Sequence, residues 1–417
     1  MENTIFYIIT GIIVFDFLLE RLLDYLNTTR WSDELPPELE GIYDPEKYSQ
    51  SQSYLKVKTR YNLVLSTFSF VLIISMILCK GFGFISNEVQ EVTPHPVLQA
   101  LLFFGVIGLA SDLISTPFSA YFTFVIEEKF GFNKTTLRTF ILDKIKSWLL
   151  MIIIGGLVLS LVVWIFEVTG SSFWIWVWLV LSAISIFMSM FYSTLIVPLF
   201  NKQKPLEAGS LRDKIEAFAQ KVQFKLTDIY TIDGSKRSTK ANAYFTGFGP
   251  KKRIVLYDTL IEKHTEEELV AVLAHEAGHF KKKHVLSGLV MSLVNSLLVL
   301  YVLSLFLSEG SDISNAIVNA LGGNAFSFHL GLLGFGLLYG PLSLLTGLLM
   351  NAWSRKNEYE ADRFAADHYS AQALSSALIK LSTDSLSNLR PHPAYVVFYY
   401  SHPGLPDRLK GLRKSYS

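Results

Sequence analysis

His275-Glu276-Ala277-Gly278-His279 stands just ahead of a long apolar run that begins near residue 284. On a helix, residues four apart project from one face. The two imidazoles can therefore hold one Zn²⁺, with Glu276 beside the open coordination position. With His at 9 of 417 positions, chance yields this pattern in such a chain roughly once in a hundred. The motif needs a third ligand before it decides anything.

Glu358 is the candidate, within Asn357-Glu358-Tyr359-Glu360-Ala361-Asp362, a stretch of good helix formers without Gly or Pro. Asp362 is four positions on and shares its face. Glu358 can ligate while Asp362 accepts the free N–H of a ligating histidine and fixes its tautomer. A metzincin pattern would require glycine at position 282 and histidine at position 285, where the chain has Lys282 and Val285. The third ligand is thus read as a glutamate, with the fourth position left to water. Glu360 and Asp367 fall off this face or lie further along and read as solvated helix surface. His284, five residues past His279, reads as a polar residue at a membrane boundary.

Composition supplies the setting. Half the residues are apolar and 14% aromatic, and 37 Lys+Arg stand against 36 Asp+Glu; mean hydropathy is +0.35. Such a chain points to lipid as solvent, and it has neither a basic stripe nor an aromatic platform for nucleic acid. Apolar runs near residues 4–22, 61–79, 97–124, 147–167, 172–199, 284–308 and 326–350 approach or exceed the length a bilayer requires, about 20 residues. These predict seven transmembrane helices. The first run lacks a basic leader and a small-residue cleavage site and reads as a retained anchor.

Lys and Arg cluster after the first, third, fifth and seventh runs. Only Lys80 lies between the second and third, and none follows the fourth or sixth. The positive-inside rule then predicts an N-terminus outside or lumenal and a cytoplasmic C-terminus. Both halves of the metal motif fall on the cytoplasmic side. The expected organisation is residues 1–200 for spans one to five, 201–283 for a small sheet and the HExxH helix, 284–350 for spans six and seven, and 351–417 for a cytoplasmic tail carrying the third ligand. The single cysteine, Cys79, excludes an intrachain disulfide and a thiolate metal site.

Within the 201–283 segment, residues 211–222 have helical spacing, 228–232 and 253–257 read as strands, and Asn242-Ala243-Tyr244-Phe245 belongs to a third. Residues 247–252 read as a hairpin turn. Asn242 to Phe245 would form either an edge strand that holds a peptide substrate by main-chain pairing or an ordinary structural hairpin. Asp16, Glu20, Asp112 and Asn295 sit within apolar runs; they would either face water or tie helices together.

These motifs, with Pro198-Leu199-Phe200-Asn201-Lys202, Ser354-Arg355-Lys356 and Ser401-His402-Pro403-Gly404-Leu405-Pro406-Asp407-Arg408-Leu409, resemble the type I CAAX prenyl proteases. Those are integral-membrane zinc metalloendopeptidases that remove the last three residues of prenylated proteins. The likeness runs from Leu35-Pro36-Pro37 to the tail. It implies an all-α multi-pass membrane protein, with seven helices around a large chamber and a cytoplasmic zinc domain carrying a small β-sheet. It further implies His275, His279 and Glu358 as ligands of one Zn²⁺, Glu276 as catalytic base, His402 as a catalytic contact to the transition state, and Asn242 through Phe245 with Arg408 as substrate contacts.

The implied partners are prenylated or other C-terminal peptides and the lipid bilayer. The membrane would be that of the endoplasmic reticulum in a eukaryote or the plasma membrane in a prokaryote, the latter left open because the tail ends without a dilysine signal. Two other functions use the same features: a broad-specificity quality-control metalloprotease, and a silent scaffold that merely retains zinc. Glu276 beside three ligands argues against the scaffold, since a structural zinc site closes its fourth position with protein and needs no base.

Overall fold

The computed structural model describes residues 2–32, 34–224, 228–246, 253–308 and 310–413. Long helices follow the apolar runs. Pro45–Leu78 begins at an Asp44 cap whose carboxylate accepts from the Glu46 backbone N–H at 2.8 Å. Four helical stretches among the described residues are long and apolar enough to cross a membrane: Pro45–Leu78, Pro96–Glu127, Leu137–Phe200 and His284–Phe306. A fifth arises if Phe328–Leu338 and the helix after it, bent by 55°, form one span.

The stretch Leu137–Phe200 contains both the fourth and fifth expected spans, divided at the 3-10 turn Gly170–Ser172, where Gly170 has φ 54°. The first expected span is the helix Glu2–Thr28, which is not among these stretches. Large apolar side chains on these helices remain exposed, including Leu157 at 69% and Leu349 at 73%. An apolar surface of that extent needs lipid or a partner against it.

Of the acidic residues in the apolar runs, Asp112 ties helices together. It bonds to Lys144 Nζ at 2.7 Å and Trp148 Nε1 at 2.8 Å on the helix Leu137–Leu150. Two helices absent from the sequence reading, Gly81–Val92 and Asp312–Ala320, join the connections between spans. The Gly83 amide donates to Leu321 O at 2.9 Å, and Ser86 Oγ lies 2.8 Å from His329 Nε2.

A four-stranded sheet lies in the polar part of the chain: β1 Gln203–Pro205, β2 Asp228–Ile232, β3 Ala243–Thr246 and β4 Arg253–Tyr257, ordered β1-β2-β4-β3. β2 pairs with β4 in parallel, and β3 pairs with β4 antiparallel. β4 is inside the sheet, and its Ile254-Val255-Leu256 run is buried on both faces. β3 is left at the edge. The expected turn at 247–252 lies outside the described residues.

Three polar segments far apart in sequence share one core. Leu39 and Tyr48 from the first pack with Ile215, Ile254 and Leu273 of the second and with Phe364, Leu374 and Leu409 of the tail. That core fixes the helix Glu266–Lys281 against the helix Gly340–Ala365.

Candidate metal centre

The helix Glu266–Lys281 starts with a capping box. Thr265 Oγ1 accepts from the Glu268 amide at 3.3 Å, and the Glu268 carboxylate accepts from the Thr265 amide at 2.9 Å. Leu269 through His275 are all buried, so this helix runs through the core rather than over it. Its contact with Gly340–Ala365 is made at Gly278. A Cβ there would meet Ala361 Cα and Phe364 Cβ, each at 3.0 Å. The glycine lets the two backbones close, bringing Glu358 beside the two histidines.

His275 Nε2 and His279 Nε2 are 3.2 Å apart. Glu358 Oε2 is 3.5 Å from the first, and Glu358 Oε1 is 3.2 Å from the second. One ligand atom from each lies within 4.8 Å of the others. A tetrahedral ion with ligand bonds of about 2.1 Å has ligand–ligand edges of roughly 3.4 Å. The cluster therefore fits such an ion, and its N,N,O donor set suits one of borderline softness. Glu358 Oε2 is also buried without a hydrogen-bond partner, an orphaned acceptor that a cation would satisfy.

Behind the ligands, Asp362 Oδ1 lies 2.8 Å from His275 Nδ1, the arrangement expected from spacing. Arg408, expected at the substrate, grips that same carboxylate through Nε at 2.8 Å and Nη2 at 2.6 Å. Its side chain is buried, and Nη1 reaches 3.6 Å from Glu358 Oε2.

Sequence reasoning missed His284 and Glu360. His284 Nδ1 is 3.1 Å from His279 Nδ1, and His284 Nε2 is 3.2 Å from Glu360 Oε2. Helical continuation would turn His284 away. Lys283, however, has φ 60°, which breaks the helix and swings the next residue back toward His279. The signal available in the sequence was a third histidine five positions past the motif; its direction depended on that one backbone angle.

His402 Nε2 is 3.3 Å from Glu358 Oε1, and its Nδ1 is 2.9 Å from Ser401 Oγ. Asn242, directly before β3, uses its side-chain oxygen to accept from the Ala243 amide at 2.8 Å. A cleft of about 740 Å³ is lined by His275, His279 and Glu358 together with Asn242, Ala243, Phe245, Glu276, His402 and Arg408, and by Ser189, Val285 and Trp353. Tyr244 points to the other face of the strand, with its hydroxyl 3.2 Å from Ser193 Oγ.

Residues 205–416 match peptidase family M48, and residues 24–202 match the N-terminal region of CAAX prenyl proteases, described as five membrane helices. The chain belongs to peptidase family M48. Among its M48 relatives, CAAX prenyl protease 1 of Saccharomyces cerevisiae is 35% identical over 97% of this chain and 94% of that protein. The human CAAX prenyl protease 1 homolog is 32% identical over 95% and 92% respectively. The crystal structure of Ste24p from S. mikatae matches with a TM-score of 0.90 at 35% identity, covering 98% of both chains. As an M48 protein the chain is a membrane metalloendopeptidase, and the family implies a metal ion at the His/Glu cluster.

The electrostatics of this M48 centre favour a cation. Burial would raise the pKa of Glu358, but the neighbouring His275 and His279 hold its carboxyl far below the usual carboxylate range. Asp362 is likewise lowered, against burial, by Arg408 and His275. Burial disfavours a charged His275, yet its bonds to Asp362 and Glu358 outweigh that and push it up to about 9. Two ionised carboxylates thus draw positive charge to one point: a proton in the metal-free protein, a metal ion in its place.

Proposed function

We propose that this protein removes the C-terminal tripeptide of prenylated proteins, using one Zn²⁺ held by His275, His279 and Glu358. The observation that carries the reading is the meeting of these three side chains within 4.8 Å, in a cleft bordered by the edge strand β3 and by residues of the membrane helices. The names of the relatives, CAAX prenyl proteases, support the substrate class.

When bound, zinc supplies Lewis acidity and makes water acidic enough to ionise near neutral pH. Glu276 takes the proton from the attacking water and delivers it to the leaving amine. His402 Nε2 faces the same point and donates to the carbonyl oxygen as negative charge develops there. Substrate backbone pairs along Ala243 to Phe245, the free edge of β3. The amide nitrogen of Asn242, whose oxygen is already engaged, remains to donate to a substrate carbonyl. Asp362 holds the His275 ring in the tautomer that leaves Nε2 free, with Arg408 fixing Asp362 in turn.

The isoprenoid enters along the membrane-helix side, near Val285 and Trp353, where each methylene removed from water contributes about 0.8 kcal/mol. The charge alternation supports seven passes, with the N-terminus outside or lumenal and the cleft cytoplasmic; an internal chamber, and the endoplasmic reticulum membrane or, in a prokaryote, the plasma membrane, are what the family resemblance implies.

The test is hydrolysis of a farnesylated C-terminal peptide and its unprenylated twin by metal-replete protein, with products identified by mass. Release of a tripeptide from the farnesylated peptide at a rate at least tenfold higher is expected. Equal hydrolysis of both peptides at scattered bonds would replace this reading with that of a broad-specificity quality-control protease.

A further inference from the structure

A second cleft, of about 670 Å³, opens from the first. The two share His402, Arg408, Leu378, Leu381 and Ser385 in their walls, so one continuous groove passes the metal centre. Beyond these shared residues, the second cleft is lined by Lys58, Lys240, Tyr54 and Asn62.

The two lysines of that wall are unequally paired. Lys240 Nζ is paired with Glu127 Oε2 at 2.8 Å and lies 4.2 Å from the centre of the Phe132 ring. The other oxygen of Glu127 accepts from the Tyr54 hydroxyl at 2.5 Å, so both of its oxygens are occupied. Asp24, which also lines this cleft, shares Arg21 with Glu20, at 3.0 and 2.7 Å. Lys58 has no carboxylate partner among the described residues; its Nζ stands 6.0 Å from the centre of the Tyr54 ring, and its side chain is exposed to the cleft. An unpaired ammonium in a groove beside aromatic walls is a site for a small anion.

We propose that Lys58 receives the C-terminal carboxylate of the substrate and so sets the length of the peptide released. The inference rests on the proposed reading as a C-terminal peptidase. An enzyme that always removes the same number of residues needs a fixed point at the chain end as well as at the scissile bond. Three extended residues reach about 10 Å, and His402 and Arg408, which border the metal cluster, also line the second cleft. The polarity of the groove agrees with this direction: Val285 and Trp353 line only the first cleft, and Lys58 and Lys240 line only the second. The prenylated residue and the free carboxylate are therefore drawn to opposite ends.

The experiment compares one farnesylated peptide as its C-terminal acid and as its C-terminal amide, on the full-length, metal-replete protein. A charge-assisted hydrogen bond of ordinary strength predicts that kcat/KM falls roughly ten- to a hundredfold from acid to amide. In Lys58→Met this ratio should collapse toward one, and in Lys58→Arg it should be largely kept; zinc content and thermal unfolding of both variants exclude a folding effect. Equal cleavage of acid and amide by the wild type overturns the proposal, as does an undiminished ratio in Lys58→Met. Failure to cleave either peptide would instead strike the proposed function itself.

Discussion

Asp362 accepts from His275 Nδ1 across 2.8 Å while the same carboxylate takes two N–H bonds from Arg408, at 2.8 and 2.6 Å. The guanidinium prevents the carboxylate from turning, and the carboxylate prevents the imidazole from turning. Ligands held this way lose little freedom when a metal binds. Asp362→Ala should therefore weaken metal affinity roughly ten- to a hundredfold, read by competition with a chromogenic chelator. Wild-type affinity in that variant would remove Asp362 from the site.

In the proposed mechanism Glu276 serves chemistry and not metal binding. It lines the cleft but is not one of the three clustered ligand side chains. Glu276→Gln should keep full metal occupancy and the wild-type melting temperature, while turnover falls by about a hundredfold or more. Retained turnover would transfer the role of base to another group.

His279, the second of the proposed ligands, has its own support, an imidazole where that of His275 is a carboxylate. His284 stands between His279 and Glu360, at 3.1 and 3.2 Å, and Glu360 is itself 39% exposed. Its hold on the ring is therefore screened by water more than that of Asp362. Metal release rates should rank Asp362→Ala fastest, then His284→Ala, then Glu360→Gln nearest to wild type. A rate for His284→Ala equal to wild type would make that contact incidental.

This relay marks where the sequence stopped being legible. The metal cluster was readable because helical spacing alone places His275 with His279 and Glu358 with Asp362. β2 and β4 were readable because Ile229, Ile232, Ile254 and Leu256 are apolar residues between turn-forming segments. β1 was not: its three residues, Gln203–Pro205, include a proline and show no alternation, and they become a strand only by pairing with β2. The position of His284 hinged on the left-handed angle at Lys283, and the partner of Asp112 on how two helices separated by a loop come to pack. Arg408 was found by resemblance, but its bond to Asp362 is a tertiary fact with no local pattern.

Gly278 offers a test of how closely the two metal-bearing helices must approach. Alanine at an interior helix position gains up to about 1 kcal/mol over glycine. Here the added methyl group would lie 3.0 Å from both Ala361 Cα and Phe364 Cβ, atoms fixed to backbone that have no rotamer by which to move away. Overpacking of this kind costs about 1–3 kcal/mol, so the net change in Gly278→Ala should be destabilising, and Glu358 should be pushed from the histidines. A lower melting temperature together with weaker metal binding is expected. A stabilised variant with unchanged metal affinity would mean that the helices separate without cost.

Acid should loosen the start of the metal-bearing helix through two neighbouring groups. His264 is buried with Nδ1 3.1 Å from Leu260 O, and burial lowers its pKa from an ordinary 6.5. Burial acts to raise Glu268, but Lys380 at 2.7 Å, Ser376 and the Thr265 amide outweigh it and lower its pKa below an ordinary 4.5. In both cases the unfolded chain binds the proton more readily than the folded one, so stability is complete at higher pH and lost as pH falls. The loss begins near pH 6.5, where unfolded His264 protonates, and deepens below about 4.5, where unfolded Glu268 does the same. Melting temperatures measured in detergent from pH 7.5 to 4 should show it. His264→Gln should flatten the upper part of the fall and Lys380→Met the lower part. A wild-type profile retained by both variants would assign the acid sensitivity to other groups.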